Sequence, residues 1–153
     1  IIAIDAVETK LSMAMEFGAT DVVDASGGDV DKKVRDLTDG GVDYSFEAIG
    51  KKETAEQSFA MLRAGGTATI VGMIPQGTKI ELDGPSFLRE KRIQGSSMGS
   101  NRFRTDMPRY IEFYKQGRLK LDELVTQRMK LDQVNEAFAD MKEGHVARSV
   151  ITF

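Results

Sequence analysis

The chain has 153 residues, with 21 Lys and Arg against 24 Asp and Glu, one His, no Cys and a formal net charge of −3. Its length suits one domain with a core of its own, its charge balance offers no footprint for nucleic acid, and the lack of Cys excludes disulfides and thiolate metal sites. The one dense basic cluster, LREKR at 88–92, is interrupted by Glu90 and reads as a solvated edge; no apolar run approaches the roughly 20 residues of a membrane span and no signal peptide is seen, so a cytoplasmic protein is expected.

IIAID at 1–5 reads as a buried parallel strand, continuous and β-branched. It starts abruptly, as the middle of a domain does. Val7, Leu11, Ala14 and Met15 share one helical face, closed by Gly18. DVVD at 21–24 is a second short strand; Val30, Val34 and Leu37 mark a helix ending at Gly40-Gly41. VDYSFEAIG at 42–50 is a third strand running into a loop. Thr54 and Gln57 have capping-box spacing, Ala55, Phe59 and Leu62 form the next helical face, and Gly65-Gly66 stops it. TATIVGM at 67–73 is a fourth strand. Short strands alternating with helices predict an α/β fold with a parallel sheet and helices on both faces.

After Pro75 the rhythm changes. KRIQGSSMG at 91–99 predicts a strand ending at Gly99. Met107, Ile111 and Tyr114 mark a helix ending at Gly117. Asp132 is placed to cap a helix carrying Val134, Phe138 and Met141 and ending at Gly144, and RSVITF at 148–153 is a terminal strand. A boundary falls near 95–99.

In open parallel sheets, ligands bind beyond the carboxyl ends of the strands. Asp5 ends a strand and precedes a helix. There an acidic residue either accepts hydrogen bonds from the ribose of a dinucleotide, favouring NAD over NADP, or merely caps the helix. Lys10, one turn on, is either a surface Lys or an arm reaching back to that ribose. EAIG at 47–50 and IVGM at 70–73 each end a strand in an apolar residue and a Gly, and together with Asp5 they put three strand ends on one side of one sheet. Glu47 reads as a structural polar residue. His145, after a helix-ending Gly, reads as a surface residue, and SSMGS at 96–100 lacks the His partner a serine nucleophile needs.

IIAIDAVETKLSMAMEFGATDVVD, GGVDYSFEAIG, TATIVGM, GRLKLDELVTQRMKLDQVNEAF and ARSVITF stand in one order along the chain. Over essentially its whole length the sequence resembles the cofactor-binding half of the zinc-containing medium-chain alcohol dehydrogenases. The resemblance implies an incomplete Rossmann-type doubly wound sheet over 1–98, its first strand and glycine-rich loop absent. Residues 99–153 would return to pack on an absent catalytic domain. It implies NAD as cofactor, with Asp5 and Lys10 at the adenosine ribose and Ile49, Gly50 and Lys51 at the adenine and ribose side. Gly72 and Met73 would lie at the nicotinamide end, Ser97 and Met98 at the carboxamide, and Arg148 at the pyrophosphate. Catalytic residues and zinc ligands would lie outside this sequence.

The same resemblance implies an alcohol or aldehyde substrate and a homodimer or homotetramer paired through the edge strand around 91–97. Loss of a central strand would leave two buried edges, at about 1–3 kcal/mol for each unmade hydrogen bond, so the isolated chain is expected to fold poorly, rearrange or borrow a strand. Three rival readings stand beside this one: an NADP-dependent zinc-free quinone or enoyl reductase of the same superfamily, a truncated non-catalytic assembly module, and a domain cut from a longer enzyme or a broken gene.

Overall fold

In the computed structural model of the chain, residues 1–144 and 146–153 are described. The reading of His145 lies outside them. Five parallel strands and three helices alternate through the first half: β1 (Ile2–Asp5), α1 (Glu8–Glu16), β2 (Asp21–Asp24), α2 (Val30–Leu37), β3 (Val42–Glu47), α3 (Lys52–Ala60), β4 (Leu62–Ile70) and β5 (Arg92–Gly95). The second half holds α4 (Phe103–Lys115), β6 (Gln127–Met129), α5 (Val134–Glu143) and β7 (Ser149–Ile151). The architecture is the mixed α/β, all-parallel arrangement expected of a Rossmann-type fragment.

The strands form three separate sheets. β1 pairs with β2, β4 lies between β3 and β5, and β6 pairs with β7. β1 and β3 therefore each carry one hydrogen-bonded neighbour, and their other edges face a common cleft of about 980 Å³. Helices hold the first two sheets together. Val30 and Val34, four apart on α2, are fully buried with Val23 and Met61, and Ile2, Ile4 and Val42 pack against them. A second cluster joins Phe59, Leu62 and Ala68. Full burial of such side chains stabilises by about 1.5–3 kcal/mol each. The Arg35 guanidinium, on α2, donates to the Ala60 carbonyl at 3.2 Å and ties the two helices at their far ends.

Several local expectations are corrected. Gly65-Gly66 does not stop the helix; α3 has already ended at Ala60, and both glycines lie inside β4. Leu62 pairs with Val42, and the register then slips to Thr67 opposite Tyr44, so a five-residue advance on β4 meets a two-residue advance on β3. The strand also ends at Ile70, before the predicted Met73. The capping box at Thr54 does not form, because its hydroxyl is taken by Glu47 at 2.7 Å. The strand expected over 91–99 spans only Arg92–Gly95 and is followed by a 3₁₀ turn at Met98–Ser100. Asp132 caps nothing; a 3₁₀ turn over Leu131–Gln133 leads into α5, with the Lys130 N–H donating to Gln133 Oε1 at 3.0 Å. On α1 only Leu11 is buried, and Met15 is exposed.

Candidate functional site

The carboxyl ends of β1, β3, β4 and β5 carry most of the predicted residues. Asp5 is the last residue of β1 and is half-buried. Its Oδ1 accepts the N–H of Val7 at 2.9 Å, which sets the turn into α1. Asp5 does not cap α1, whose N-cap is Val7 with no side-chain cap bond; it closes the turn before the helix, and that turn uses one carboxylate oxygen. Lys10 is half-buried on α1 and lines the same cleft as Asp5 and Ile49. These three are the predicted residues that the fold gathers around one cavity.

Glu47 organises the neighbouring strand ends. Its side chain is 3% exposed, and Oε1 accepts three hydrogen bonds: from Ile49 N–H at 2.9 Å, Gly50 N–H at 2.7 Å and Thr54 Oγ1 at 2.7 Å. Burial pushes the Glu47 carboxyl up. The bonds from Thr54 and from the backbone at Gly50, Ile49 and Lys51 outweigh that, and the net shift is below the usual glutamate value. The Glu47 carbonyl also accepts the N–H of Val71 at 2.8 Å and of Gly72 at 3.0 Å. One residue therefore fixes both loops.

The two loops cross so closely that side chains are excluded. A Cβ on Gly50 would lie 2.6 Å from the Met73 carbonyl oxygen, and φ there is +88°. A Cβ on Gly72 would lie against Gly50 N and 2.5 Å from Glu47 Oε2. Both are distances that real Cβ atoms do not adopt, so glycine is required by the crossing itself. Ile49 and Met73 beside them are exposed, Met73 to 92%. Lys51 is exposed at the start of α3.

Ser97 and Met98 follow β5, whose Gly95 pairs with Ile70 at the end of β4. The Ser96 N–H donates to the Ile70 carbonyl at 2.9 Å, which continues that ladder, while Met98 has φ +52° and is almost fully exposed. Arg148 stands apart from these strand ends. It precedes β7, its carbonyl accepts the Thr126 N–H at 3.1 Å, and its side chain makes no bond to the other predicted residues.

Thr54 was missed as a partner in the site, and Glu47 was read only as structural. The available signal was a Glu at an inward position of a strand, three residues before a Gly. For a metal the residues do not fit: the chain has no Cys, and among the described residues no group of three or more His, Asp or Glu could hold an ion. No helix among the described residues is long and apolar enough to cross a membrane.

Against known proteins, residues 1–116 match the zinc-binding dehydrogenase family. The chain is similar to the alcohol dehydrogenase class-3 of Dictyostelium discoideum, with 36% identity over 99% of this chain and 41% of that protein. Among solved structures it is similar to an alcohol dehydrogenase zinc-binding domain protein from Burkholderia ambifaria, with TM-score 0.94, 34% identity, and cover of 100% of this chain and 41% of that one. It is also similar to a zinc-binding dehydrogenase from Sinorhizobium meliloti 1021 bound to NADP, with TM-score 0.81, 34% identity, and cover of 90% and 40%. The chain spans about two-fifths of the length of these relatives. A match over three-quarters of its residues, together with the fold, makes the chain a member of the zinc-binding dehydrogenase family.

Proposed function

We propose that this chain is the cofactor-holding part of an NAD-dependent zinc alcohol dehydrogenase, which moves a hydride between an alcohol and the nicotinamide. The observation that carries the reading is Asp5, half-buried at the carboxyl end of β1 on a shared cleft with Lys10 and Ile49. Its second carboxylate oxygen is the acceptor for ribose hydroxyls, and its charge repels a 2′-phosphate. Lys10 assists at that ribose. Ile49, Gly50 and Lys51 flank the adenine and ribose side, and Gly72 and Met73 the nicotinamide end. Ser97 and Met98 offer backbone groups to the carboxamide, and Arg148 supplies a guanidinium for the pyrophosphate.

The cofactor would supply the hydride acceptor. The work of this chain is orientation: Glu47 holds the two loops at fixed spacing so that flat rings meet backbone rather than mobile side chains. On this reading the zinc would be held by residues outside these 153, and the chain alone is catalytically inert. Subunits would pair through the edge of β5, around 91–97.

A second reading, NADP as cofactor, is favoured by the NADP-bound relative at 34% identity. Calorimetric titration of the full-length protein with NAD and with NADP separates the two. The expected result is tighter binding of NAD, with Asp5→Ser narrowing the preference about tenfold, as loss of a charged hydrogen bond implies. Equal or tighter binding of NADP by the unmodified protein overturns the NAD reading.

A further inference from the structure

The basic run LREKR at 88–92 is not all solvated edge. Lys91, directly before β5, turns inward and is half-buried. Its Nζ donates to the Ala60 carbonyl at 3.4 Å and stands 5.6 Å from the centre of the Phe59 ring. Arg35 donates to the same carbonyl from α2. Arg89 is exposed and has no hydrogen-bond or ion-pair partner among the described residues. The three cations line one cavity of about 560 Å³, a size within the roughly 300–1,000 Å³ of small-molecule sites. It lies at the amino ends of β4 and β5, the opposite end of the sheet from Gly50 and Gly72.

The positive charge there is not balanced from within. Burial, then the Arg35 and Arg89 guanidinia, hold the Lys91 ammonium below its usual value, and Asp83 opposes them. The Ala60 carbonyl closes α3 and attracts cations, but one shared carbonyl does not neutralise both Lys91 and Arg89. The carboxylates of the cavity wall are engaged elsewhere. Asp31 balances Arg35 at 2.8 Å, Glu56 and Glu81 share Lys52, and Asp83 Oδ2 accepts the Ser86 hydroxyl at 2.8 Å. Glu53 lies two turns before Ala60 on α3, about 10 Å away along the axis. Like charges gathered in a half-dry cavity are costly until a counter-charge joins them.

We propose that this cavity is a second ligand site, for a small phosphate monoester whose anionic oxygens lie among Lys91, Arg89 and Arg35 and whose apolar body lies on Phe59, Leu82 and Pro85. A guanidinium fork suits paired phosphate oxygens, and an ammonium adds a point charge beside it. Several cations around one spot match a dianion better than the single charge of a carboxylate. A bare oxyanion would leave the apolar wall uncovered, so the class is an ester with a carbon body rather than free phosphate. The inference is independent of which dinucleotide is bound at the other end of the sheet.

The probe is phenyl phosphate, added to the full-length protein, with inorganic phosphate and phenol as its two halves. Calorimetric titration reads affinity. Brief acetylation with acetic anhydride, followed by mass spectrometry of the peptides, reads the place, with the exposed Lys32 on α2 as internal reference. Phenyl phosphate is expected to bind at least tenfold tighter than either half and to slow acetylation of Lys91 at least threefold while Lys32 is unchanged. Arg89→Gln should weaken it about tenfold, as loss of a charge-assisted hydrogen bond implies. Because Arg89 is exposed and unpartnered, that variant keeps the fold, and an unchanged melting temperature checks this. Four results would overturn the proposal: no saturable binding, inorganic phosphate or phenol binding as tightly, unchanged affinity in Arg89→Gln, or binding that leaves Lys91 acetylation unaltered. The last would place the phosphate elsewhere on the protein.

Discussion

Residues 1–95 and residues 98–153 draw on similar sequence material but bury it differently. In the first region, nine apolar side chains from Leu11 to Ala68 are buried, and seven of them form two clusters. In the second, only Met129 and Ala137 are buried apolar residues among those described. α4 has thirteen residues and buries none; Phe103 is 64% exposed and Ile111 54%. The helical period in the second region is as regular as in the first. Periodicity shows which face is apolar; it does not provide the surface that face packs on.

The largest test of this contrast is truncation on each side of it. Leu62→Ala should destabilise the chain by about 3 kcal/mol, because the site is 1% exposed within a packed cluster. Ile111→Ala on α4 should cost about 0.5 kcal/mol or less in the same urea titration. Comparable losses at both sites would remove the contrast.

Next in size is the loop crossing. Gly72→Ala must push backbone apart at Gly50 and displace Glu47, so a loss of about 2 kcal/mol is expected, along with weaker dinucleotide binding. Thermal melting and calorimetric titration would check the two parts separately. Gly117→Ala, in the second region, has a strained φ of +68° but open space around it, and should leave dinucleotide binding unchanged.

Acid provides a finer probe. Glu47 has a folded pKa below its unfolded value, so its charged form stabilises the fold. That contribution is present above the ordinary glutamate range and is lost as pH falls from that range through the lower folded value. Unfolding free energy followed across that window should drop, and Glu47→Gln should flatten part of the slope. The smallest effect belongs to the exposed Arg63–Asp43 pair bridging β4 and β3; Asp43→Asn should change stability by about 0.5 kcal/mol or less, and added salt should erase even that.

How far this was legible depends on the kind of signal. Val30 and Val34, and Ala55 and Phe59, stand four apart and are buried as the pattern required, since a helix face repeats locally. The start of β4 was not legible, because two glycines that read as a stop lie within a strand whose register slips beside Val42. β6, three residues long, is too short to show alternation; it exists because β7 lies beside it. The division into three sheets depends on which strands meet, and no local pattern encodes that. Asp5 was legible as a strand-end carboxylate, whereas the bonds of Glu47 to Ile49, Gly50 and Thr54 required the fold.

The crossing at Gly50 and Gly72 affects how variation in this chain would be interpreted. In a saturation library scored for function, both columns would be empty of every residue but glycine, while Ile49 and Met73 beside them would accept many. A reader of that map would mark the glycines as ligand contacts. Their intolerance arises from two loops of the chain meeting each other, and it would persist in a library scored for folding alone, with no dinucleotide present.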